Sequence, residues 1–393
     1  MSVTAPSAEP LGADAARTPM EVLPGIQAHP HARAVLLPAL APGASPSHAY
    51  LFHGPAGTGK RTVARAFAAA LLVDGARNPE TVAERVARDC HPDLTWVTPS
   101  GAAEMLVADI EGPVVAAASH TPFESARRVF VIEGAETMND QAANRMLKTL
   151  EEPPAFTHLL LLADRREDVL ATIASRCQPV RFDPLPWALM ADRLDGVDGE
   201  RARACARLAL GDAGVAARLA SAEGEALRAR AEDFVRCALA GSTAARPWLG
   251  LLEVAKAAGL AAGERSQARM ERELELVPSK ERKRYEREGA EARRRGERRV
   301  RTQTLDLALR VAELWLRDLL CLCEGGGELV YAADRRTELE HDADGRGAVA
   351  LRRGMELVAD TRLSLSLNVS EELALEALAY RLQATLANEA VAA

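Results

Sequence analysis

The sequence predicts an α/β phosphate-loop domain, a parallel sheet with helices on both faces, followed by a small helical domain and an all-α C-terminal domain. Three observations predict it. Residues 24–185 alternate short apolar runs with helical periodicity, the pattern of strands joined by crossover helices. A glycine-rich string, GPAGTGKRT (Gly54–Thr62), follows the first apolar run. Beyond Pro186 the chain reads as helix, with no convincing strand.

At 393 residues the chain exceeds one compact core, and typical domain sizes give two or three domains. The divisions read from the sequence are a disordered tail at 1–23, the phosphate-loop domain at 24–185, a small helical domain at 186–222 and a helical domain at 223–393. The tail is rich in Ala, Pro and Ser and lacks a basic start followed by an apolar run, so it is not a signal peptide. With 48% hydrophobic residues, 27% charged and 4% aromatic, the chain favours helix. The longest apolar run, near Leu159, falls far short of the about 20 residues that cross a bilayer. Six scattered cysteines (Cys90, Cys177, Cys205, Cys237, Cys321, Cys323) include no Cys-x-x-Cys pair, which fits a reduced, cytoplasmic protein. A net charge of -7 gives the molecule as a whole no pull toward nucleic acid or anionic membrane, so any DNA contact must be local.

Strands are expected at 49–52, 94–97, 129–132 and 159–162, the last apolar enough to be buried on both faces. A helix capped by Asn139 should end at Glu151 and Glu152, ahead of Pro153 and Pro154. Residues 187–220 read as short helices interrupted at Gly211 and Gly214.

In the phosphate loop, Gly54, Gly57 and Gly59 let backbone amides turn inward, Lys60 adds a positive charge, and the helix from Lys60 to Val73 aims its N-terminus at the same anion. The next position normally offers a magnesium-binding hydroxyl, yet it is Arg61. Thr62 is one step late, and adjacent helix positions point about 100 degrees apart. The loop therefore either holds ATP or ADP without hydrolysing it or persists as a shape alone. At the end of RVFVIEGAE, Glu133 stands where an Asp would orient magnesium and Gly134 where a carboxylate would activate water. Glu136 lies two residues past that position. Hydrolysis in cis is not expected, and no metal-ligand set is predicted.

The strings MNDQAANRMLKTLEEPP (Met138–Pro154) and TIASRCQPV (Thr172–Val180), with SHAYLFHGP (Ser47–Pro55) and HPDLTWV (His91–Val97), closely resemble the clamp-loader branch of the AAA+ proteins over residues 24–181. The resemblance implies an AAA+ domain, a helical lid and a C-terminal collar. Members that hydrolyse ATP, the gamma/tau type, keep the magnesium hydroxyl, an Asp-Glu pair and sensor residues. Here Ala163 and Asp164 occupy the first-sensor region, and Gly214, in GDAGVAARL, stands where a sensor arginine is expected. These losses resemble the delta-prime type, which in the family sits at one end of a five-subunit arc within the DNA polymerase III holoenzyme. One catalytic feature implied by the family remains. Ser175-Arg176-Cys177 would place Arg176 across an interface as an arginine finger on a neighbour's ATP, although pairing of Arg176 with a local carboxylate is the alternative. Cys177 reads as a small buried residue rather than a nucleophile. The family's zinc module has four cysteines; only Cys90, beside His91, stands here, so no zinc is predicted.

The implied function is delta-prime-like participation in ATP-dependent loading of a sliding clamp during DNA replication. The implied partners are gamma/tau ATPase subunits, a delta subunit, the clamp indirectly and primer-template DNA through the complex. A gamma/tau-type ATPase is the alternative, and a small-molecule kinase has no support from residues 138–177.

In the last third, AELWLRDLLCL (Ala312–Leu322) and LNVSEELALEAL (Leu367–Leu378) resemble the family's oligomerising collar. Leu309, Ala312, Leu316, Leu319 and Leu320 fall on one helical face, which serves either an interface or the domain's own core. Residues 280–301 carry eleven basic and five acidic side chains. That surplus could touch DNA, but the interleaved glutamates and the single aromatic, Tyr285, favour a solvated helix.

Overall fold

The structure, a computed structural model, describes residues 23–76, 78–99, 104–274, 282–367 and 369–387. Two compact units result, Met1–Pro184 and Leu185–Ala393. All but the last residue of the expected tail lies outside the described residues. Leu23 itself is fully buried with Ile26, so the folded chain begins at least there, one residue earlier than expected.

In the first unit, α1 (Pro30–Ala39), β1 (Ala49–His53), α2 (Lys60–Val73), α3 (Pro79–Ala87), β2 (Leu94–Val97), α4 (Val107–Ile110), β3 (Arg128–Glu133), α5 (Asp140–Glu151), β4 (Thr157–Ala163), α6 (Ala171–Ala174) and β5 (Gln178–Arg181) follow one another. The five strands form a parallel sheet in the order β2-β3-β4-β1-β5, with Leu51 opposite Leu161 and Pro179, and Phe130 opposite Leu159 and Thr95. This is the α/β architecture read from the sequence, a parallel sheet with helices on both faces.

Strand alternation sorts the side chains into two cores. Ala49, Leu51, Phe130, Ile132, Leu159 and Leu161 face one side, packed with α5 residues such as Ala142 and Met146. Tyr50, Phe52, Val129, Val131, Leu160 and Leu162 face the other, against Val63, Phe67 and Leu71 of α2. Because both faces are covered, the central strands must be apolar throughout, and all seven residues of β4 are buried. β5 was not expected as a strand. It pairs only with β1, at the sheet edge, where Pro179 removes no needed donor and its neighbours Gln178 and Arg181 face out. The α5 cap is as read: the Asn139 side chain accepts from the Ala142 amide at 2.9 Å.

The second unit contains α7 (Trp187–Ala191), α8 (Gly199–Leu208), α9 (Ala213–Ala220), α10 (Ala222–Leu239), α11 (Trp248–Leu274), α12 (Arg282–Cys323), α13 (Arg336–Ala343), α14 (Ala348–Ser366) and α15 (Glu371–Ala387). Cys205, Leu208 and Leu219 from 186–222 share one continuous core with Phe234, Leu309, Leu351 and Leu382 from 223–393. Gly211 does break the helices, with φ at +92° between α8 and α9. Gly214 does not: it lies inside α9, which is capped by Asp212 through the Val215 amide. Leu309, Ala312, Leu316 and Leu319 of α12 are buried within the unit and Leu320 partly so, which makes that face part of the unit's own core.

α11 and α12 run beside each other as a long hairpin. Gly259 permits the approach, since a Cβ there would stand 2.9 Å from the Glu297 carbonyl oxygen. The charged segment is helical where described; residues 275–281 lie outside the described residues. Among those of residues 264–274 and 282–303 whose side chains are described, none is buried.

Candidate functional site

β1 delivers the chain into the phosphate loop, and the loop closes onto the first turn of α2. Gly54, Gly57 and Gly59 have φ of +147°, +69° and +92°, and a Cβ on Gly54 would overlap the Phe182 carbonyl, so that position admits only glycine. The Thr58 hydroxyl donates to the Pro55 carbonyl at 2.9 Å, tying the turn across itself.

Lys60 is 8% exposed, and a buried ammonium needs a counter-charge. The fold supplies one just beyond β4: Lys60 Nζ lies 2.9 Å from Asp164 Oδ1, and it also donates to the carbonyls of Pro55, at 2.8 Å, and Gly54. The next residue pairs as well. Arg61 Nε lies 2.7 Å from Glu133 Oε1, which also accepts the Trp96 indole N–H at 2.5 Å. The guanidinium thus sits on the carboxylate that would orient magnesium. Thr62 is exposed on the same turn.

Glu136, to which sequence reasoning assigns no role, belongs to this cluster. Its Oε1 faces the Asp164 backbone amide at 3.4 Å, and burial pushes its carboxyl above the usual range. No spacing rule signals it; the turn at Gly134 brings it in. Gly134 has φ of +67° and lies against Pro99, so the water-activating position holds a residue required by the turn and bearing no carboxylate.

A magnesium nucleotide does not fit these side chains. The lysine faces a carboxylate instead of a phosphate, and a cation already neutralises Glu133. Repulsion between Arg61 and a divalent metal, and between Asp164 and phosphate oxygens, opposes both parts of the ligand.

Arg176 stands elsewhere, just beyond α6. Its Nη2 is 2.6 Å from Glu151 Oε1 at the end of α5, and its Nη1 donates to the Thr172 carbonyl at 2.9 Å. The local carboxylate left open by the sequence is therefore present. The pair remains at the surface, with the side chains 36% and 48% exposed. Cys177 next to it is buried, and burial pushes its thiol up to about 12, which removes nucleophilic character at neutral pH.

The His-Pro-Asp segment is structural. Buried Asp93 accepts from the amides of Phe123, Glu124 and Ser125 at 2.6, 3.0 and 2.9 Å. His91 Nδ1 accepts from the Asp93 amide at 3.1 Å, while the Cys90 thiol turns to the Arg85 carbonyl. Among the described residues no helix is long and apolar enough to cross a membrane.

Residues 33–186 match the family described as DNA polymerase III, delta subunit. The chain is 39% identical over 147 residues to the DNA polymerase III subunit delta' of Pseudomonas aeruginosa, a match covering 36% of this chain and 44% of that protein. It is 38% identical over 152 residues to the subunit delta' of Bacillus subtilis, covering 38% and 46%. The tau subunit of Bacillus subtilis matches at 34% over 164 residues, 39% of this chain and 28% of tau. The matches span less than half the length of these delta' relatives, and the residues matched by the family model include the sheet, the loop and Arg176. The similarity to the family described as DNA polymerase III, delta subunit extends over residues 33–186 of this 393-residue chain.

Proposed function

We propose that the chain is a delta-prime-type subunit of a DNA polymerase III clamp loader, taking part in ATP-dependent loading of a sliding clamp without hydrolysing ATP itself. The observation that carries this reading is the division of charge within the first unit. Lys60 is buried against the chain's own Asp164 and Arg61 lies on Glu133, whereas Arg176 stands away from the loop, at the surface, on Glu151 and the Thr172 carbonyl. An exposed ion pair contributes only about 0–1 kcal/mol, so a phosphate from a neighbouring subunit can take Arg176 from Glu151 at little cost. A guanidinium fork there would stabilise charge on the transferring phosphoryl oxygens.

The partners in this reading are gamma/tau ATPase subunits and a delta subunit, with the clamp and primer-template DNA engaged through the assembly. The test is co-purification with those ATPase subunits, followed by their ATP turnover with and without this chain. No association, or unchanged turnover, removes the reading. The gamma/tau alternative draws on the tau similarity, and it requires the isolated chain to hydrolyse ATP in a way that changing Lys60 abolishes. Gly134 and Arg61 speak against it.

A further inference from the structure

We propose that the phosphate loop is locked by the chain's own charges: on Lys60, Asp164 takes the electrostatic place of a terminal phosphate, and on Glu133, Arg61 takes that of a divalent cation. The folded loop then takes no magnesium nucleotide, and it becomes an anion site, independent of metal, only when the Asp164 carboxylate is removed.

The ammonium of Lys60 has three N–H groups, and three acceptors are in place: the carbonyls of Gly54 and Pro55 and the carboxylate of Asp164. Nothing on it is left for a phosphate oxygen. Its burial makes the counter-charge obligatory, while Asp164 itself is 57% exposed. Glu136 stands behind the Asp164 amide and adds a second carboxylate on that side. On the cation side, one oxygen of Glu133 serves both Arg61 and Trp96. The glycines already hold left-handed conformations and Thr58 closes the turn, so the loop keeps its shape with no ligand to induce it. Replacing Asp164 by asparagine leaves a buried ammonium uncompensated, and an added anion becomes its counter-ion. With Arg61 still on Glu133, magnesium contributes nothing.

The lock is a property of the loop alone, and its test uses the isolated full-length chain. Thermal unfolding and calorimetric titration with ADP, in EDTA and in magnesium, compare wild type with Asp164→Asn and Asp164→Glu. Wild type and Asp164→Glu should show no saturable binding at about 1 mM ADP and no rise in Tm. Asp164→Asn should melt below wild type and recover with ADP, equally in EDTA and magnesium, with at least about tenfold tighter binding than wild type. The proposal is overturned if wild type binds ADP as tightly as Asp164→Asn, if Asp164→Asn does not respond, or if its response needs magnesium. If Asp164→Asn fails to fold, the wild-type titration decides: saturable ADP binding with Kd below about 1 mM overturns the lock, and its absence upholds it. Such binding would leave the role proposed for Arg176 standing, because that role needs nothing in this loop.

Discussion

Arg228 grips Asp334 with both terminal nitrogens, at 2.7 and 2.8 Å, in the interior of the helical unit, while its Nε reaches Glu232 at 2.7 Å. Arg228 is fully buried. Burial alone would lower its pKa, but the two carboxylates outweigh it and hold the guanidinium above its ordinary value. Removing one partner strands a buried charge. Asp334→Ala should therefore lose about 3–5 kcal/mol of stability, read as a lower urea midpoint. Arg335→Ala, at the rim of the same network, should lose less than about 1 kcal/mol. Equal losses would refute this account of the network.

Asp93→Ala should cost about 2–3 kcal/mol, because three amides lose a shared, buried, charged acceptor. The segment 123–125 should gain amide exchange first. A variant with unchanged exchange there would show that the carboxylate does not anchor the loop.

The strands, the α2 helix and its loop, and the Asn139 cap were legible because each depends on neighbours a few residues away. The Lys60–Asp164 and Arg61–Glu133 pairs were not, since the partners lie far apart in sequence and only the strand order joins them. At Arg61 the sequence shows only that no hydroxyl follows the lysine; that its guanidinium lies on Glu133 is visible only in the fold. β5 escaped because an edge strand with Pro179 and outward polar neighbours lacks the apolar signature of β4. Asp93 looked like part of a motif, and its work on the 123–125 amides appears only when the loop folds over it.

Burial drives the His158 pKa down from 6.5 to about 4, with Arg127 and His48 adding to the effect against a hydrogen bond to the Ser47 carbonyl. A folded-state pKa below the unfolded one favours the neutral ring. The stability it contributes is present above pH 6.5 and is lost as pH falls from 6.5 toward 4. The loss from this residue alone is on the order of 3 kcal/mol. Burial likewise lowers His29, His53 and His91. Chemical unfolding across this range should be steeper for wild type than for His158→Gln, and identical slopes would exclude His158 as a source.

Arg176→Ala breaks an exposed ion pair and a surface hydrogen bond to the Thr172 carbonyl, so stability should change by less than about 1 kcal/mol. In the reconstituted assembly ATP turnover should fall at the one interface it serves, where an arginine finger contributes about a thousandfold. Retained assembly with slower turnover is the expected result. Undiminished turnover would remove Arg176 from the chemistry and leave it a partner of Glu151.

The 42 residues of α12 make a rod of about 63 Å, and its two ends are made differently. From Thr304 onward it is keeled into leucine-rich packing; before that, together with the outer turns of α11, none of its described side chains is buried. Its outer turns should fray and re-form independently of global unfolding, so protease cuts and deuterium uptake should begin there while the base stays intact. Whatever surface the hairpin offers, evolution can lengthen, shorten or recharge it without disturbing the part of the molecule that keeps it upright.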